Sequence, residues 1–134
     1  LKFRMQTNAS GAVINSDSTA AVASGDVVDL GPLPAGMHLE DVMVTVSTAL
    51  TASVTGKLGF AYSDGVDDAT VPQNDAYFFA ATSLAAAAVI RKTATTAPVV
   101  LPKEARLILT TGGAANAKAS LTDIRVIGEL AGQR

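Results

Sequence analysis

Cysteine and tryptophan are absent, histidine occurs once, at His38, and the aromatic residues are two Tyr and four Phe. Without thiols the chain has no disulfide framework and no thiolate zinc site, and the redox compartment stays open because cysteine-free chains work in either. Long apolar runs are missing too. The most apolar stretch, Leu84 to Ile90, is followed directly by Arg91 and Lys92, far short of the roughly 18 residues of a membrane-spanning helix. An excess of positive charge is also lacking: ten Lys and Arg stand against twelve Asp and Glu, for a net charge of −2 and a pI near 5.2. Direct nucleic-acid binding goes with a clustered basic surface and a pI above about 9, and is not expected here. Leu1 to Gln6 alternates apolar and polar residues and has no apolar centre of a signal peptide. The start at Leu1 implies that a few preceding residues were removed or left out.

What is present is Ala, Thr, Val and Gly in a chain of 134 residues, enough for a single domain, 1–134, with a core of Val, Leu, Ile and a few Phe. Period-two alternation recurs throughout, as in strands with one face buried. Phe3 and Met5 share a face with Leu1; Ala12-Val13-Ile14 forms a short piece before an Asn15-Ser16-Asp17-Ser18 turn; Ala20 to Ala23 is a further strand. Val27, Val28 and Leu30 lead into Gly31-Pro32-Leu33-Pro34-Ala35-Gly36, whose prolines and glycines predict a turn without regular ladder pairing. Val42, Val44 and Val46 mark the clearest strand, and Leu58, Phe60 and Tyr62 line one side of the next. Ser63-Asp64-Gly65 is a hairpin-type signal, Val66 to Ala76 an exposed loop, and Tyr77-Phe78-Phe79 and Val99-Val100-Leu101 start further strands. Ala105 to Thr111 and Leu121 to Leu130 are predicted antiparallel partners joined through Gly112 to Asn116. Thr82 to Lys92 carries an alanine run compatible with a short edge helix, but Val89-Ile90 and Thr93 to Thr96 favour strand. Short strands separated by Gly/Pro turns predict an all-β, antiparallel β-sandwich, with a jelly roll the preferred form.

Chemistry is hard to find in this pattern. A nucleophilic triad would have to use His38, yet no G-x-S-x-G elbow surrounds any serine, and His38 reads as a turn or interface residue. Asp64, Asp67 and Asp68, with Asn74 and Asp75 nearby, offer hard oxygen ligands that suit calcium, but they depart from the EF-hand spacing, and a hydrated turn explains them. No cofactor is expected. Glu40, Asp41, Glu104, Asp123 and Glu129 sit singly, which disfavours a glycosidase pair. The rings of Phe60, Tyr62, Tyr77, Phe78 and Phe79 could stack on sugars if exposed, although scarce aromatics usually build core. Gly112-Gly113 lacks the Lys-Ser/Thr of a phosphate loop. Arg91, Lys92, Lys103, Arg106 and Arg125 form no stripe and suit edge protection or the rim of a contact with an acidic partner. The last residues, 130–134, are expected to fray unless a neighbour holds them. An enzyme is not expected.

The stretch Leu33-Pro34-Ala35-Gly36-Met37-His38-Leu39-Glu40-Asp41-Val42-Met43-Val44, followed by Gly56-Lys57-Leu58-Gly59-Phe60-Ala61-Tyr62-Ser63-Asp64-Gly65, resembles small structural proteins of tailed bacteriophages. It is similar in texture to head decoration or cement proteins of jelly-roll type, closely over these two stretches and elsewhere in composition alone. The resemblance implies a protein made in the host cytoplasm that binds the outside of the capsid between major capsid subunits, as a dimer or trimer, and holds the shell against internal DNA pressure. A tail or fibre component and a carbohydrate- or receptor-binding module are the alternative readings. No site residue carries over from so general a likeness. Recognition on a rigid sandwich usually falls to loops and ends, which points to Pro34, His38, Glu40, Asp67 and Asp75 as candidate partner contacts.

Overall fold

The computed structural model describes residues 2–14 and 22–130, apart from the side chains of Glu129 and Leu130. Among the described residues nine strands run in chain order: β1 (Lys2–Thr7), β2 (Val27–Leu33), β3 (Met37–Thr48), β4 (Thr55–Tyr62), β5 (Asn74–Ser83), β6 (Ala88–Arg91), β7 (Val99–Val100), β8 (Ala105–Gly112) and β9 (Ser120–Leu130). They form two antiparallel sheets. The β1 sheet has the order β1-β9-β3-β6, with β7 also on β3, and the β2 sheet has the order β2-β8-β4-β5. The chain changes sheet at every connection except β4 to β5 and β6 to β7. This interleaving is the jelly-roll form of the sandwich.

The alternating apolar residues meet between the sheets. Val42, Val44 and Val46 of β3, Leu58, Phe60 and Tyr62 of β4, and Leu107 and Leu109 of β8 are all buried. Each such side chain removed from water contributes roughly 1.5–3 kcal/mol. One lateral side of the sandwich is closed by residues 92–97. The amides of Thr93 and Ala94 donate to the Phe78 carbonyl, and the Tyr77 hydroxyl donates to the Ala97 carbonyl at 2.6 Å. The segment thus runs from the β6 edge of one sheet to the β5 edge of the other.

Several local expectations give way. Ala105 to Thr111 and Leu121 to Leu130 are not partners: β8 pairs with β2 and β4, while β9 pairs with β1 and β3. Residues 113–119 carry the chain across the core from one sheet to the other rather than back along the same one. The Gly31–Pro32 stretch stays within β2 instead of leaving the ladder. β2 is an edge strand, so a proline without an N–H is tolerated there, and a register shift at Gly31 absorbs the irregularity. Gly31 has φ +152°, and a Cβ on it would stand 2.6 Å from the Phe3 ring, which packs across the open side between β1 and β2. Val13 makes a lone bridge to Thr7 rather than a strand, and Val22 and Ala23 are outside any strand. Asp64-Gly65 makes the first turn of a longer connection, with Gly65 N–H bonded to Tyr62 O at 3.1 Å, and β5 begins at Asn74, inside the expected loop. Thr82 to Lys92 holds the end of β5 and all of β6, the strand reading. Leu1, the Asn15–Ser18 turn, the start of the Ala20–Ala23 strand and the tail 131–134 lie outside the described residues.

Candidate functional site

Three connections converge at one end of the sandwich. The Pro34–Gly36 turn is tied to the segment before β8 by Gly36 N–H to Leu101 O at 2.8 Å, and the β4–β5 loop, residues 63–73, by Ser63 N–H to Glu104 O at 3.1 Å. Lys103 is the local organiser: its Nζ pairs with Asp64 at 2.9 Å, donates to Val66 O at 2.7 Å and lies 4.9 Å from the centre of the Tyr62 ring. Ser63, Asp64, Lys103 and Glu104 line a shallow, open depression there.

The loop carboxylates are engaged by their own backbone. Asp64 accepts from Val66 N–H at 2.9 Å, and this bond, with the Lys103 ammonium, holds its carboxyl below the usual carboxylate range. Asp67 Oδ1 accepts from the amides of Asp68 and Gln73, and Asp68 Oδ1 from those of Thr70 and Val71. The Tyr62 hydroxyl donates to Val71 O; burial, and then the charges of Asp68 and Asp67, push its pKa up. For the calcium reading of Asp64, Asp67 and Asp68, the geometry gives three self-bonded turn carboxylates. Among the described residues no three His, Cys, Asp or Glu side chains gather as a metal cage.

The other candidate residues spread over several elements. Pro34 is half-buried in the β2–β3 turn, with its carbonyl accepting from Met37 N–H. His38 and Glu40 lie on the outer face of β3, where His38 Nδ1 stands 3.5 Å from Glu40 Oε1. Glu40 projects from a register shift between Leu39 and Asp41, opposite Gly128, where a Cβ would fall 1.8 Å from His38 O. Two backbones approach this closely only with glycine there. Asp41 pairs with Arg91 at 2.6 Å, which lowers its pKa. Asp75 is drawn away to Lys57 at 3.0 Å. The structure therefore brings Pro34, His38, Glu40 and Asp67 to one end, where His38 and Glu40 meet one another, and builds no catalytic constellation from them. The rings of Phe60, Tyr62, Tyr77, Phe78 and Phe79 are buried, with edge-to-face contacts at 5.0–5.7 Å among the first four, and offer no sugar-stacking face.

The fold is shared with a phage capsid chain. The match is to a chain in the solved structure "Capsid of Ralstonia phage GP4", with a TM-score of 0.63 and 16% sequence identity, over 99% of this chain and 84% of that one. No protein-family model and no curated protein matches the chain.

Two features of the molecule were not read from the sequence. One is Asn116, which is buried at the opposite end. The other is a row across the outer face of the β1 sheet, Arg91, Met43, Arg125 and Lys2, which are successive cross-strand partners on β6, β3, β9 and β1. The alternation of β3 hints that Met43 points outward, but the row exists only once four strands are in register.

Proposed function

We propose that this chain is a virion structural protein that decorates the outer surface of a phage capsid, binding between major capsid subunits and reinforcing the shell. The observation that carries this reading is the jelly-roll likeness, along nearly the full chain, to a chain of a phage capsid. A rigid sandwich that assembles no catalytic group among the described residues suits a clamp. Repeated at many symmetry-related positions, copies with modest individual contacts hold a shell together by avidity. The contacts assigned to the capsid are the end carrying Pro34, His38, Glu40 and Asp67, with Asp75 at its margin, because these residues stand on loops and strand ends of a fixed scaffold.

The test is cosedimentation of the purified chain with expanded, undecorated capsids. Saturable binding at a fixed number of copies per shell supports the reading. Absence of binding to any shell state would transfer the chain to a tail or fibre role. The carbohydrate-binding alternative loses its main support with the burial of the aromatic rings.

A further inference from the structure

The outer faces of the two sheets differ in how their charges are balanced. On the β2 sheet Asp29 pairs with Arg106 at 2.9 Å and Lys57 with Asp75 at 3.0 Å. On the β1 sheet Arg4 pairs with Asp123 and Arg91 with Asp41, but Lys2 and Arg125, directly opposite one another in register, have no carboxylate partner among the described residues. Like charges facing each other across a ladder destabilise it, so this pair favours an anionic partner. Beside Arg125 in the same row stands half-buried Met43, and 62%-exposed Val89 lies in the next row.

The complementary pattern is at the β4–β5 loop. Asp67 and Asp68 have no cationic partner among the described residues, and Val66 beside them is 60% exposed. The backbone bonds to both carboxylates and the Lys103 contacts to Asp64 and Val66 fix the shape of this tip, so little ordering remains for binding.

We propose that copies of this chain associate head to face: Val66, Asp67 and Asp68 of one copy dock on the outer face of the β1 sheet of the next, against Met43, Arg125 and Lys2. An apolar residue followed by two anions meets an apolar residue with two cations beyond it in the same row. The contact joins two different patches, so it is heterologous and generates a closed ring or an open chain. In a copy whose Asp67 engages its neighbour, Pro34, His38 and Glu40 remain for the shell; the association is measured without capsids, so it and the capsid-surface reading can fail separately.

The experiment is sedimentation velocity of the full chain over a concentration series in dilute buffer, repeated at about 1 M salt, where the screening length is about 3 Å. Four proteins are compared: the parent, Lys2→Gln with Arg125→Gln, Asp67→Asn with Asp68→Asn, and all four changes together. The asparagines keep the oxygens that accept the loop amides, and matching thermal midpoints confirm that each variant folds. The proposal expects salt-sensitive association that each paired variant weakens roughly tenfold or more. The combined variant should be little weaker than either, because both remove the same contact. A parent that stays monomeric, association insensitive to either pair, or losses that simply add would overturn it.

Discussion

At the end where β8 hands over to β9, the connections are welded by one buried side chain, whereas at the opposite end they are held by exposed ion pairs and turn carboxylates. Asn116 is 1% exposed. Its Nδ2 donates to Thr7 Oγ1 at 3.2 Å and to Lys118 O at 3.1 Å, and its Oδ1 accepts from Thr51 N–H at 3.1 Å. Its own amide donates to Val22 O at 2.8 Å, and Thr7 Oγ1 shares a 2.7 Å hydrogen bond with Ser120 Oγ. A satisfied buried network of this kind specifies one arrangement of three connections, β1–β2, β3–β4 and β8–β9. The β4–β5 loop has one buried tie, the Tyr62 hydroxyl donating to Val71 O, and otherwise rests largely on exposed carboxylate bonds that compete with water. The contrast is a division of labour: a satisfied buried network fixes one end, and the other keeps its charged groups open to solvent.

The sharpest way to break the comparison is Asn116→Leu. Stripping Thr7, Thr51 and Lys118 of their buried partner should cost about 3 kcal/mol, read as a lower urea midpoint. Asp67→Asn at the other end should stay within about 0.5 kcal/mol. Equal losses at both ends would dissolve the distinction. Next in size is Gly128→Ala. It forces a methyl group onto His38 O and should cost about 2 kcal/mol while disturbing the Glu40 bulge.

How far these features were legible in the sequence follows physical lines. The Val42-Val44-Val46 alternation is a local signal of a half-buried strand, and the structure buries all three residues. The exposed acidic loop was equally local. The misreading of β8 and β9 has a different origin: Gly112 to Asn116 looks like a hairpin turn, and local turn chemistry is silent on which sheet the next strand joins. Asn116 was hidden for the same reason, since Asn in a Gly/Ala-rich connection reads as a turn residue. The Lys2–Arg125 pair depends on the register of strands from opposite ends of the chain.

Thr122 tests the comparison from the core. Its Oγ1 is buried with no hydrogen-bond partner among the described residues, and Thr122 is paired in register with Met5 and Val46. Thr122→Val should stabilise by about 1 kcal/mol in urea unfolding, because it removes a desolvated hydroxyl without removing a bond. A loss of stability would mean that the hydroxyl is satisfied in solution. The smallest effect is the acid response of Asp41. Its pKa is depressed by Arg91, so the stabilisation is present above the unfolded value of 3.8 and is lost as the pH falls from there through the lower native value. Arg91→Ala should flatten that part of the stability-pH curve by less than about 1 kcal/mol, since the pair is partly exposed.

The central claim, that this jelly roll reinforces a capsid, is tested most directly by the temperature at which expanded, undecorated shells burst with and without the saturating chain. The account predicts a higher bursting temperature with the chain bound. Shells that bind the chain yet burst at an unchanged temperature would contradict reinforcement.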